Sequence, residues 1–429
     1  MFTRSSTPEL PVEVCERIID NASIGTAKRC SQVCHSWLPR SRVIIFETVS
    51  LNSSSMASKL ISLLSRSPSI GYYVCVLRIS GPSESRRWLH DVVHTLPPLL
   101  PNVHTLSLYE LPHLDLDFYT SVSQFTKVKS LELVLLRVHS IRELIQIVNG
   151  FENLRNLHIH SRHISSLDIH PNDNIRSHKL EAFKLLGYRQ NQLDRFFNWI
   201  VESNSFQSLS TLDLNIDGYT GKLNRLLHES SKTLQSLRFK FVMNGSIVFK
   251  KLPALTTFHA LRFLSLKLYS ASNGVSVILP KLAQGVPESF ELLQLRYECR
   301  IGDLLREDSQ GEWLAFDQFL SSLNLSKPPS LEIECVSGIP GIDPDTLEDG
   351  EEDDLGCIAE GVGQKQQEEN VKNELVGLDR DGLFRRHLPN MYERGLSWFI
   401  IGWGTRSYLV SPTEPEKWRS RATGSFPFF

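Results

Sequence analysis

The sequence predicts an α/β fold in which a short N-terminal helical module is followed by a long solenoid of strand–helix repeats. An apolar motif recurs at nearly constant spacing through most of the chain, helix signals precede it, and acidic, polar composition follows it. We therefore expect four parts. These are a helical module over residues 1–47, a repeat solenoid over 48–337, an acidic and polar disordered linker or loop over 338–374, and a capping segment with a loose tail over 375–429.

The N-terminal module begins with Pro11, which suits the first turn of a helix, and continues with Val14 and Ile18 at helical spacing. A second short helix is predicted around Cys30 to Trp37, and the apolar run 43–46 predicts a strand. Helices this short bury too little apolar surface to be stable alone. Part of their apolar face is therefore expected to meet a partner or the next domain.

The order of these elements, from Leu10-Pro11 to Cys34-His35-Ser36-Trp37-Leu38-Pro39, resembles the F-box and covers under a tenth of the chain. The segment 21–28 departs from the family because it is short and lacks the usual acidic pair. The resemblance implies binding to the adaptor subunit of SCF-type ubiquitin ligases, which joins an F-box protein to a cullin scaffold. Carried over position by position, the adaptor-binding residues are Leu10, Pro11, Val14, Ile18, Val33, Cys34 and Trp37.

The body of the chain repeats the pattern apolar-x-x-apolar-x-apolar, with middle residues spaced 25 to 29 residues apart. The middle residues are Leu77, Leu106, Leu131, Leu157, Phe183, Leu212, Leu237, Leu264 and Leu293. This period matches leucine-rich repeats, although the Asn or Cys that normally follows the motif is missing. Each motif predicts a strand, and segments such as 141–148 and 193–200 have the apolar spacing of helices.

Neither the strand nor the helix of a repeat can bury its apolar side alone, so neighbouring units should stack. The expected result is an irregular solenoid with a curved parallel sheet inside and helices outside. A helical module followed directly by such repeats resembles the leucine-rich-repeat class of F-box proteins. In that class the repeats select the protein substrate.

Residues that alternate with the buried strand positions are expected to face the concave side of the sheet. The candidate substrate-binding residues are Tyr109, His158, His160, Arg238, Lys240, Lys267 and Arg296. The last four share a positive charge and come from three successive units, which favours an acidic or phosphorylated partner segment. The alternative is that these charges form an ordinary solvated face.

Composition excludes several kinds of partner. The 429 residues include 46 Lys and Arg and 48 Asp and Glu, so the net charge of −2 gives no overall attraction to nucleic acid or membranes. No apolar run approaches the roughly 18 residues that span a bilayer. Seven cysteines without regular spacing favour reduced thiols in the cytoplasm, the nucleus or both. Cysteines and histidines do not complete a metal-ligand set, so neither a metal nor a cofactor is expected.

Motifs of catalytic chemistry are missing from the sequence. It contains no Gly-x-Ser-x-Gly elbow, no His-Glu-x-x-His and no complete phosphate-binding loop. The sequence therefore predicts a non-catalytic substrate-recognition subunit of an SCF-type ubiquitin ligase. A repeat scaffold that binds proteins outside any ligase is the first alternative, and an enzyme with an unrecognised site is the second.

Overall fold

In the computed structural model the chain forms two compact units, residues 1–209 and residues 210–429. The structure describes residues 11–81, 86–111, 116–135, 137–160, 163–166, 176–188, 190–216, 221–241, 251–269, 282, 284–299, 314, 317–318, 330–335, 399–403, 406–410 and 419–422. The predicted linker over 338–374 therefore lies outside the described residues.

Three helices open the first unit: α1 (Val12–Asp20), α2 (Ile24–Cys30) and α3 (Leu38–Glu47). Helix α3 packs against both α1 and α2. The hydroxyl of Ser23 caps α2 by accepting a hydrogen bond of 3.2 Å from the backbone N–H of Thr26.

Two local predictions for this module are wrong. A continuous helix from Cys30 to Trp37 is not formed, because α2 ends at Cys30 and turns occupy most of 31–37. Ser31 favours this end, since its hydroxyl donates a 2.7 Å hydrogen bond to the carbonyl of Lys28. The apolar run 43–46 is not a strand but part of the last turn and a half of α3, whose first turn contains Pro39.

The first unit continues with strands and helices in alternation. Its strands are β1 (Thr48–Leu51), β2 (Val76–Ser80), β3 (Thr105–Tyr109), β4 (Ser130–Val134), β5 (Arg137–Ser140), β6 (Asn156–His160), β7 (His163–Ser166) and β8 (Ala182–Tyr188). Its further helices are α4 (Ser54–Arg66), α5 (Arg86–Leu99), α6 (Leu116–Val122), α7 (Ile141–Asn149) and α8 (Gln190–Glu202), and a 3-10 helix covers Pro68–Tyr73. Strands β1, β2, β3, β4, β6 and β8 form a parallel sheet in that order, and β5 pairs with β7.

The strand register of the first unit follows the sequence repeat. The middle residues of successive motifs are Cα partners, so that Leu77, Leu106, Leu131, Leu157 and Phe183 form one row across the sheet. All five side chains are buried, as the pattern predicts. The predicted helix 141–148 is confirmed within α7, which the Ser140 hydroxyl caps and whose apolar residues are buried.

The second unit is built in the same way. Its elements are β9 (Thr211–Ile216), α9 (Gly221–Ser230), β10 (Ser236–Phe241), a 3-10 helix (Leu255–Thr257), β11 (Phe263–Tyr269), β12 (Leu292–Cys299), β13 (Ser330–Cys335), β14 (Phe399–Trp403), β15 (Arg406–Val410) and β16 (Arg419–Ala422). Strands β9 to β14 pair in parallel, and β15 and β16 continue the sheet in antiparallel pairing. Leu212, Leu237, Leu264 and Leu293 again form one row.

The prediction of an α/β fold with parallel strands and intervening helices is confirmed in both units. A partial copy of the motif at Leu331 and Ile333 is displaced, because Leu331 pairs with Leu295 and Ile333 with Tyr297 rather than with the row of middle residues. Within the predicted capping segment and tail over 375–429, Arg419–Ala422 forms strand β16, which pairs with β15.

Candidate functional site

Helix α1 has an inner and an outer apolar stripe. Ile19 is buried at 1% exposure, whereas Val14 and Ile18 remain 42% and 47% exposed. Val14 and Ile18 lie one turn apart, so they share one side of the helix. The helix is therefore anchored by one stripe and presents the other to solvent.

Exposed apolar side chains are concentrated near the amino end. Among the described residues, seven large apolar side chains are classed as exposed, and five of them lie between residues 12 and 33. These five, called the N-terminal apolar set below, are Val12, Val14, Ile18, Ile24 and Val33. The other two, Met56 and Tyr72, lie elsewhere in the first unit. Such a concentration is typical of a surface that binds a protein.

Most of the predicted adaptor-binding residues are accessible. Pro11, Val14, Ile18, Val33 and Cys34 are exposed, whereas Trp37 is half-buried at the start of α3. Leu10 lies outside the described residues. Ile24 belongs with the exposed set, although it was not among the adaptor-binding residues predicted from the sequence. Its signal in the sequence is its place directly after the capping residue Ser23.

Polar contacts hold the module in shape. The guanidinium of Arg40 on α3 forms an ion pair with the carboxylate of Asp20 at the end of α1. The hydrogen bond that the Arg40 guanidinium donates to this carboxylate lowers the pKa of Asp20. The thiol of Cys34 lies 3.1 Å from the hydroxyl of Ser36, and that contact is the main cause that lowers the pKa of Cys34.

A second candidate region lies on the sheet of the first unit, on the face opposite the buried leucines. The register aligns one polar residue from each of five strands in a row, which runs Arg78, Ser107, Glu132, His158 and Lys184. The predicted binding residues Tyr109 and His160 lie two positions further along their strands. The sheet therefore places Tyr109, His158 and His160 in one region.

Glu132 is the centre of this polar row. Its Oε2 atom accepts hydrogen bonds from the Ser107 hydroxyl at 2.6 Å and from the Tyr109 hydroxyl at 2.9 Å. Burial raises the pKa of Tyr109, and the hydrogen bond to Glu132 raises it further. The carboxylate is thus held in a fixed orientation and can act as a recognition group.

Two histidines of the first unit are held neutral. The pKa of His158 is lowered to about 4, first by burial and then by the charge of Lys184. The pKa of His178, which is 2% exposed, is also lowered to about 4 by burial and by Arg176. The backbone N–H of His178 donates to the Ser205 hydroxyl at 3.0 Å.

The lowered pKa values of these two histidines predict that the stability of the fold depends on pH. Between pH 6.5 and pH 4 the unfolded chain binds more protons than the folded chain, so the free energy of unfolding should fall as the pH is lowered through that window. The slope is at most about 1.4 kcal/mol per pH unit for each histidine. Urea denaturation from pH 7 to pH 4 measures it. We expect His158→Gln combined with His178→Gln to flatten the slope, and an unchanged slope would contradict this origin.

In the second unit the register assembles three of the four predicted cations. Lys240 on β10 pairs with Lys267 on β11, and Lys267 pairs with Arg296 on β12. Arg238 belongs to a different row, where its register partner on β9 is Asp213. The guanidinium carbon of Arg238 lies 5.1 Å from the centroid of the Phe263 ring.

Comparisons with known proteins give no relative. No protein-family model matches the chain, and the search of curated proteins returns no significant match. Within the described ranges, no group of three or more His, Cys, Asp or Glu side chains is placed to hold a metal ion. Over those same ranges, no helix combines the length and the apolar character needed to cross a membrane.

Proposed function

We propose that this protein is a non-catalytic substrate receptor of an SCF-type ubiquitin ligase. In this proposal the helical module is an F-box that docks on the adaptor and so on the cullin scaffold. The strand–helix units are leucine-rich repeats that hold a protein substrate. The observation that carries the proposal is the concentration of exposed apolar side chains on the N-terminal helical module.

The energetics of docking fit a protein partner. Full burial of a Val or Ile side chain contributes about 1.5–3 kcal/mol, so each half-exposed member of the N-terminal apolar set offers roughly 1 kcal/mol. Five such residues together supply a useful part of the free energy of a specific interface. A single exposed apolar residue would not.

The chemical role proposed for the protein is proximity. A receptor that holds substrate and charged enzyme in one assembly raises their effective concentration, and it needs no reacting group of its own. His158 and Glu132 lie in the same register row of the first sheet, and the Glu132 carboxylate is held by two hydrogen bonds, which supports recognition on this sheet face.

Replacing Val14 with arginine tests the docking surface. The variant places a charge on the outer stripe of α1, so we expect recovery of the adaptor in a pull-down from cell extract to fall at least tenfold. Stability should change little because Val14 is already exposed. Met56→Arg on α4 is the matched control, since Met56 is 41% exposed but lies outside the N-terminal apolar set.

Two results would contradict the proposal. One is equal recovery of the adaptor with both variants. The other is no recovery of the adaptor even with the parent protein, which would favour a ligase-independent repeat scaffold. Immunoblotting for adaptor and cullin in the same eluate distinguishes these results.

A further inference from the structure

The sheet of the second unit carries a row of basic residues. Lys240 and Lys267 alternate with the buried residues Phe239 and Leu266, so both lie on the face away from the core. They are direct register partners, and Arg296 occupies the next register position on β12. Neighbouring strands lie about 4.8 Å apart, so the three positions span roughly 10 Å. This set is called the basic row below.

The residues around the basic row show that the positive charge is local. Its register neighbours are Asn215 on β9 and Glu332 on β13. In the row two positions before it, the residues are Asp213, Arg238, Ser265 and Gln294. There Asp213 is the register partner of Arg238, and the Ser265 hydroxyl donates a 3.1 Å hydrogen bond to the Gln294 side chain. Among the described strands of the second unit, the basic row is the one that places three cationic residues at adjacent register positions.

We propose that the basic row binds a carboxylate-rich segment of a protein partner. Lysine and arginine form charge-assisted hydrogen bonds with carboxylates. A run of carboxylates can engage the three positions at once, one carboxylate to each cationic residue.

The inference rests on the proposed function only in naming this segment as part of the substrate. Two points of the sequence-based expectation, that four cations bind an acidic or phosphorylated segment, are changed. Arg238 is set apart from the binding group, because Asp213 and Phe263 lie beside it. The partner is also restricted to a run of acidic side chains.

The test uses the full chain and a fluorescein-labelled peptide of eight glutamates, with binding followed by fluorescence anisotropy at low ionic strength. We expect Lys240→Glu combined with Lys267→Glu to weaken binding at least tenfold. The matched control is Lys222→Glu combined with Lys232→Glu, which changes the net charge equally at two exposed positions of the same unit. The control should stay within twofold of the parent, and added salt should weaken parent binding.

Equal weakening in both double variants would overturn the proposal, because binding would then follow net charge alone. Binding of a phosphoserine peptide without binding of the glutamate peptide would also overturn it. If the charge reversal unfolds the protein in a thermal melt, Lys240→Gln with Lys267→Gln keeps the test open, and a loss of at least threefold is expected. The assay contains no adaptor, so its result is independent of docking through the N-terminal apolar set.

Discussion

Replacing Gly71 with alanine is expected to lower the free energy of unfolding of the first unit by about 3 kcal/mol. Gly71 is buried in the 3-10 helix Pro68–Tyr73. A Cβ atom at this position would lie 2.0 Å from the carbonyl oxygen of Leu99 at the end of α5. Because that oxygen belongs to the backbone, a rotamer change cannot relieve the clash, and the helix end must move.

Urea denaturation followed by circular dichroism measures this effect. Gly25→Ala is the control in the same unit, since the added Cβ would be no closer than 3.9 Å to its nearest neighbour, the Ser23 hydroxyl. In the exposed helix α2 that change should be neutral or stabilising by up to about 1 kcal/mol. Equal denaturation midpoints for the two variants would show that the close approach at Gly71 is not a constraint.

Truncating Phe196 to alanine is expected to cost about 3–5 kcal/mol. Phe196 on α8 stacks on Phe183 of β8 with ring centroids 5.6 Å apart, and it meets the edge of Trp199 at 5.1 Å. All three side chains are fully buried, so the truncation leaves a cavity between a helix and the sheet it covers. The cost combines lost burial with lost ring contacts.

Phe196→Leu is the conservative comparison and should cost less than about 1.5 kcal/mol, because it keeps most of the buried volume. Urea denaturation followed by circular dichroism measures the loss for both variants. Similar losses for the alanine and leucine variants would mean that the cavity is not the source of the destabilisation.

The strands of the repeat could be predicted because each one shows its alternation of apolar and polar residues within a few consecutive positions. Leu131 and Leu133 alternate with polar residues, and the same pattern returns after one helix, so burial and parallel order follow from sequence alone. The N-terminal module was less predictable. The run 43–46 has strand propensity, but it lies in a helix that begins around Pro39 and packs against α1 and α2.

The polar region of the first sheet could not be predicted from the sequence, because its contacts depend on the strand register. Ser107 and Glu132 are 25 residues apart and meet only because β3 and β4 align them as Cα partners. The sequence indicated the face of these residues, but not which side chains would share one carboxylate oxygen. In the second unit the strand register likewise places Arg238 and Lys240 in different rows, although the sequence pattern grouped them.

The chain passes from α3 at Glu47 to β1 at Thr48 without an intervening residue. The backbone N–H of Cys75 donates a 2.9 Å hydrogen bond to the carbonyl of Glu47 and so fastens this junction to the start of β2. Under the proposed function, an adaptor bound to the opening helices would therefore keep one orientation relative to the first sheet. Inserting a few glycines between Glu47 and Thr48 would make this connection flexible, so that the helical module could change its orientation relative to the sheet.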